Sequence, residues 1–337
     1  MNLRTVESLS LALHHGRESL RQAHIAKDKE KINTLRAGNS GILTAEGEFA
    51  GCCPHVAHLR QLGIESEVPT ADKLIMFQMG IESENAVFQD LEANLSADQK
   101  LLREDETGIE WFTSNGTRVT GRPDGVVYKA KSGSDAVPAE LEPYYGIELK
   151  TVASFWTTRE VLFEQEPKLT ALIQATHYAW KLGIPYKLSY KNYVNQTFPS
   201  WATKFVPKQG QPGSEHISYN DKGEPKNVNP FEIVYECDID EHGFMWYRLE
   251  SDRNSWVKSI VNTKDIERFY EFVSRIQETK KLGDKLTTIG CTGKKKSYSH
   301  CDLYCPIHKH FSEFENDYDK WISEIRRNSA LLLGAGE

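Results

Sequence analysis

Two stretches with the β-branched and aromatic content of strands, 117–129 and 144–152, flank a polar segment, 130–143, that reads as a hairpin loop. This hairpin constrains the chain more than any other feature, because each arm carries charge at positions that the pleat fixes. The first arm contains Gly121-Arg122-Pro123-Asp124-Gly125 and the second Gly146-Ile147-Glu148-Leu149-Lys150. Side chains alternate across a strand, so Glu148 and Lys150, two residues apart, share one face. With Asp124 opposite them, two carboxylates and the Leu149 carbonyl offer hard oxygens suited to Mg2+ or Mn2+. Lys150 is then placed to orient, or help deprotonate, an attacking water. By itself, a carboxylate pair on adjacent strands reads equally well as a surface salt bridge.

The flanking segments give the hairpin its surroundings. Region 72–95 has helical spacing, with Leu74, Phe77, Ile81, Phe88 and Leu91 on one stripe and Glu84 in the position the stripe lacks. A carboxylate buried there without a partner is costly or neutralised, so Glu84 meets a bound cation, pairs with a buried arginine, or lies on a helix rotated to expose it. Pro167 opens a helix that runs to Leu182 and stops at Gly183 and Pro185. Its Leu169, Leu172, Ile173 and Trp180 point to a core, and the i,i+4 spacing puts Gln174 and Tyr178 on one face. Further strands are expected at 186–194 and 231–238. The polar segment between them, with Pro199, Pro207, Pro212, Gly213 and Gly223, reads as a long structureless insertion. Residues 1–36 predict one or two surface helices before a Gly-rich turn at 37–41, and an amphipathic helix is expected at 265–282.

Hydrophobic residues make up 39% of the chain and charged residues 26%, which excludes a disordered protein. No apolar run reaches the ~20 residues of a membrane span, and the N-terminus lacks a secretory h-region, so a cytoplasmic protein with no membrane partner is expected. A net charge of -7 excludes a protein that coats nucleic acid non-specifically, and any nucleic-acid site must be local. Lys280, Lys281, Lys285, Lys294, Lys295 and Lys296 form one basic stretch, which alone also reads as a solvated face. Six cysteines are unevenly placed: Cys52 and Cys53 adjoin, Cys237 stands on an apolar strand as a core residue would, and Cys291, Cys301 and Cys305 crowd together. In a cytosolic chain such clustering points to thiolate metal ligands rather than disulfides.

The helix carboxylate Glu84, Asp124, Glu148-x-Lys150 and Gln174-x-x-x-Tyr178 follow one another in an order that resembles the RecB-like branch of the PD-(D/E)xK nucleases, which includes CRISPR-associated and phage exonucleases. The resemblance covers roughly residues 75 to 185. Glu84 departs from the histidine common in this branch and looks like the glutamate of viral and phage-type exonucleases. The resemblance implies that Glu84, Asp124, Glu148 and the Leu149 carbonyl hold Mg2+ or Mn2+, that Lys150 is the catalytic lysine, and that Gln174 and Tyr178 are an accessory DNA-contacting pair. Arg122 and Lys294 to Lys296 are the expected further nucleic-acid contacts.

Relatives in this branch that carry a 4Fe-4S cluster place one cysteine before the core and three after it. Cys53, which precedes Pro54, and Cys291, Cys301 and Cys305 match that order, with Cys52 as the alternative first ligand. The spacing between Cys291 and Cys301 is wider than the usual pattern, and four thiolates also suit Zn2+. The implied fold is α/β: a restriction-endonuclease-like core with a mixed central sheet flanked by helices, its N- and C-terminal segments joined by the metal cluster. Residues 1–50 would be an N-terminal helical extension, 51–310 the nuclease domain and 311–337 a C-terminal helical tail. The implied activity is exonucleolytic cleavage of DNA with a free end, in replication, recombination or repair, with a recombination or replication protein as a partner. A structure-specific endonuclease and a non-catalytic nucleic-acid-binding or assembly subunit are the alternatives.

Overall fold

A computed structural model describes residues 34–47, 49–61, 71–103, 106–131, 140–152, 154–193, 195–198, 200–252 and 255–276. In chain order these form β1 (Leu35–Arg36), β2 (Gly41–Leu43), β3 (Phe49–Gly51), α1 (Pro54–Gln61), α2 (Ala71–Asn94), β4 (Gln99–Arg103), β5 (Ile109–Phe112), β6 (Arg118–Gly121), β7 (Gly125–Ala130) and β8 (Leu141–Thr151). They continue as α3 (Phe155–Thr158), α4 (Leu169–Leu182), β9 (Tyr186–Asn192), β10 (Gln196–Thr197), β11 (Ile217–Tyr219), β12 (Pro225–Val228), β13 (Phe231–Ile239), β14 (Phe244–Leu249), β15 (Val257–Asn262) and α5 (Thr263–Ile276).

The molecule is mixed α/β, built on a seven-stranded sheet in the order β15-β14-β13-β9-β8-β7-β4. Its pairs are antiparallel except β8 with β9, which run parallel and are joined by a crossover through α4. Apolar alternation explains the two layers. Ile147 and Leu149 of β8 join Val127, Leu101, Phe88 and Leu91 in a small core beneath α2, while α4 and α5 cover the main core with Leu172, Ile173, Ile266, Phe269 and Val273. Helix α4 ends at Gly183, whose φ of 67° suits the left-handed cap that glycine adopts without Cβ strain.

Three expectations are corrected. The stretch 117–129 is two strands rather than one: β6 belongs to a three-stranded sheet with β1 and β5, and β7 to the large sheet. Pro123 lies at the break, where it has no N–H to donate. The segment 35–51, expected within a helical extension, forms β1 to β3 and enters the core through Leu35, Ala37 and Ile42, because these apolar residues find cover under α5 and α4. The insertion before β13 is not structureless, since β10, β12 and β11 form an antiparallel sheet within it. Residues 1–33, the loop 132–139 and residues 277–337 lie outside the described residues, and with them Lys280, Lys281, Lys285, Cys291, Lys294, Lys295, Lys296, Cys301 and Cys305. Among the described residues, no helix is long and apolar enough to cross a membrane.

Candidate active site

The hairpin arms meet where sequence places them. Gly125 pairs with Ile147, which sets Asp124 opposite Glu148 one step further along the antiparallel register. Beyond Pro123 the main-chain ladder stops, and the Asp124 side chain takes over: its Oδ2 accepts the Leu149 N–H at 2.7 Å. That bond fixes the carboxylate against β8.

Glu148 is fully buried. Its Oε1 accepts a hydrogen bond from the Lys150 ammonium, and its Oε2 is a buried oxygen without a hydrogen-bond partner. Burial, and then the Asp124 charge, push the Glu148 carboxyl up to about 8 in the absence of a cation, against the opposing pull of Lys150. Burial also works against the Lys150 charge, but Glu148 and Asp124 outweigh it and hold the ammonium protonated above the usual lysine range. Lys150 is therefore a fixed positive charge, suited to orienting a water or an anionic oxygen rather than to removing a proton.

Helix α2 brings Glu84 to the same end of the sheet. Glu84 lines a small cleft with Leu149, Lys150, Thr151, Lys191 and Tyr193. The Tyr193 hydroxyl donates to the Ser83 carbonyl at 2.9 Å, fastening the helix over the ends of β8 and β9. Glu84 is half-buried rather than enclosed in an apolar stripe: Ile81 on the expected stripe is 51% exposed, whereas Phe88 is buried and Leu91 packs beside it. Lys191 and Tyr193 were not apparent as site residues in the sequence. The parallel register that pairs Thr151 with Lys191 brings them in, and no local pattern specifies that register.

The Tyr178 ring is buried against the Tyr186 ring, and its hydroxyl donates to the Arg122 carbonyl at 3.0 Å. Gln174 Nε2 lies 3.5 Å from that hydroxyl. Burial raises the Tyr178 phenol well above its ordinary range, so it remains a donor and positions the Arg122-Pro123-Asp124 turn. Two glycines make room for this stack: a Cβ on Gly121 would lie 2.6 Å from the Tyr178 ring, and one on Gly146 would lie 2.0 Å from the Tyr186 ring. The exposed Arg122 side chain lines an adjoining cleft of about 640 Å3 together with Arg36, Arg118 and Tyr178. Arg118 is paired there with Glu110 at 2.6 Å.

Cys53 is buried at the start of α1, where its carbonyl accepts the Ala57 N–H at 3.0 Å. Burial pushes the neighbouring Cys52 thiol up to about 11. Helix α1, which begins next to Cys53, packs against α5. Cys237 is buried in β13, and burial raises its thiol further, as expected of an inert core cysteine.

Among the described residues, no three His, Cys, Asp or Glu side chains close into a preformed metal cage. The donor chemistry of the hairpin nevertheless fits a hard divalent cation: a buried carboxylate oxygen of Glu148 lacks a partner, and the Asp124 carboxylate is held against the next residue's N–H. Neither the family models nor the curated proteins with which the chain was compared give a match.

Proposed function

We propose that the chain is a metal-dependent DNA nuclease with a restriction-endonuclease-like core, acting on DNA with a free end. The observation that carries this reading is the fully buried Glu148, with one oxygen bound to Lys150 and the other unpartnered, set directly beside Asp124. A buried carboxylate in that state is costly in an ordinary core and useful where a cation neutralises it. The mixed sheet with a parallel β8–β9 pair and a helical crossover supports the same reading. Asp124, Glu148, the Leu149 carbonyl and Glu84 would hold Mg2+ or Mn2+, which when bound supplies Lewis acidity and an acidified water. Lys150 orients the attacking oxygen and offsets charge at the phosphate, while Tyr178 and Gln174 hold the turn that carries Asp124. Arg122 supplies a cation for a flanking phosphate.

Cys53, with Cys291, Cys301 and Cys305, is proposed to bind a 4Fe-4S cluster, or Zn2+, that ties the two chain ends together without taking part in hydrolysis. The test of activity is incubation of purified protein with end-labelled single- and double-stranded DNA in Mg2+, Mn2+ or chelator. Metal-dependent release of labelled nucleotides is expected, and its absence in every metal overturns the reading.

A further inference from the structure

Six residues beyond Lys150, the chain presents an exposed aromatic face that the proposed hydrolytic site does not use. Ser154 caps the short helix α3 by accepting the Thr157 N–H at 3.2 Å, and this turn carries Trp156 outward, 53% exposed. Trp201, from the insertion, is 50% exposed and lies beside it, with ring centroids 5.4 Å apart and planes tilted by 30°. Side chains of this size are normally covered, and two in contact form an exposed apolar platform.

Cations border the rings. The Arg159 guanidinium lies 5.8 Å from the Trp156 ring and 4.8 Å from the Phe205 ring, and the Lys204 ammonium lies 4.9 Å from Phe205. Arg159 also pairs with Glu164 at 2.6 Å, and Glu160 pairs with Lys168 at 3.2 Å.

The platform is rigidly built. Residues Arg159–Phe163 form a π-helical turn in which the Glu164 N–H reaches the Arg159 carbonyl at 2.9 Å, and Gln165 follows with a left-handed φ of 54°. Such distortions recur at functional sites. The insertion is fastened to the turn by Gly213, where a Cβ would fall 2.7 Å from the Leu162 carbonyl oxygen. It is also fastened just beyond the end of β8 by Gln196, which donates to the Val152 carbonyl at 3.2 Å. Six residues span at most about 20 Å, so the rings lie within a few nucleotides of Lys150.

We infer that the face formed by Trp156 and Trp201, with Arg159 and Lys204 beside it, binds single-stranded nucleic acid by stacking unpaired bases on the two indoles. The choice of occupant rests on the proposed phosphodiester site. Apolar rings bordered by cations match a strand that offers both π-faces and phosphates, whereas a purely apolar partner would leave the Lys204 ammonium beside Phe205 without a counterpart.

The test uses the full chain in chelator, where no cleavage intervenes, and measures binding of a fluorescein-labelled oligothymidylate by anisotropy and by quenching of tryptophan fluorescence. Trp156→Ala and Trp201→Ala are each expected to weaken binding on the order of tenfold. Trp156→Phe and Trp201→Phe, which keep a ring, are expected to restore most of it. An abasic oligonucleotide of equal length is expected to bind the wild type as weakly as the alanine variants bind oligothymidylate. Unchanged affinity in both alanine variants, equal binding of the abasic strand, or no binding by the wild type overturns the inference. So does self-association of the wild type that the alanine variants abolish, which would make the face a contact between copies. Metal-dependent cleavage by a protein whose alanine variants bind normally removes the platform alone. Base-dependent binding without cleavage in any metal removes the nuclease reading alone.

Discussion

Replacing His177 with glutamine tests how tightly the core joins the segment around Ser40 to α4 and α5. His177 is completely buried; Trp111 Nε1 donates to its Nε2 at 2.9 Å, and its Nδ1 faces Ser40 Oγ at 3.2 Å and Tyr270 Oη at 3.3 Å. The indole N–H can only donate, so Nε2 must carry a lone pair and the proton sits on Nδ1. Burial, and then the nearby Lys181 charge, push the imidazole down to about 3 from 6.5. Between these two values the unfolded chain takes up a proton that the folded chain refuses, so stability is present in full above about pH 6.5 and falls as the pH drops. The slope is about 1.4 kcal/mol per pH unit, or roughly 3 kcal/mol between pH 6.5 and pH 4.5.

His177→Gln removes that slope. At neutral pH the variant should be less stable by about 1–3 kcal/mol, because its amide cannot satisfy all three neighbours. Every other titrating group is common to both proteins, so the gap between them should close by roughly 3 kcal/mol, and can invert, by about pH 4.5. Urea unfolding followed by far-UV circular dichroism, at a series of pH values in chelator, measures this directly. A gap that stays constant across the series would falsify the neutral, Nδ1-protonated assignment.

Other expectations concern the hairpin and the cysteines. Asp124→Ala, Glu148→Gln and Lys150→Ala should each lower metal-dependent DNA cleavage by at least about 100-fold with circular dichroism unchanged; full activity in any of them removes that residue from the mechanism. In chelator, the raised Glu148 carboxyl means the folded state holds a proton that the unfolded state has lost, so wild-type stability should fall as pH rises from about 4.5 towards about 8. Glu148→Gln should lack this decline, and its persistence in the variant would show that another group causes it. Gly146→Ala should destabilise by about 1–3 kcal/mol in urea unfolding, since its methyl group must displace the Tyr186 ring; a change under ~0.5 kcal/mol would mean the Tyr178–Tyr186 stack yields freely. Protein purified without oxygen should show broad visible absorption that Cys53→Ser abolishes and Cys237→Ser retains, whereas colourless protein with stoichiometric zinc would replace iron by zinc.

The strand pair around Glu148 and Lys150 was legible because period-2 alternation is a local rule, and the same holds for α4, bounded by Pro167 and Gly183. Asp124 lies opposite Glu148 although the stretch that leads to it is two strands rather than one. The β-branched and aromatic residues on either side of Gly121–Gly125 read as one strand, but the ladder breaks at Pro123, which has no N–H to donate, and the Asp124 side chain rather than a main-chain carbonyl accepts the Leu149 N–H. The small sheet of β10, β11 and β12 was hidden because strands of two to four mostly polar residues leave no alternating pattern. His177 went unremarked between Gln174 and Tyr178, since its three partners come from distant parts of the chain and only tertiary packing reveals them. The apolar stripe that points to Glu84 includes an exposed Ile81, yet Glu84 stands near Lys150 all the same, because Tyr193 fastens the helix there.

The long separation between Ser40 and its partner Tyr270 has a consequence for how the protein is made. The two hydroxyls share a hydrogen bond of 2.6 Å across 230 residues, and Gly41 sits so close to Phe269 that a Cβ would come within 2.6 Å of its ring. A ribosome adding about 5–20 residues per second needs roughly 12–46 s to travel from one to the other. During that interval the segment 35–51 lacks the helix that covers it, so the core can close only after α5 has left the exit tunnel, by which time every strand of the seven-stranded sheet has been synthesised.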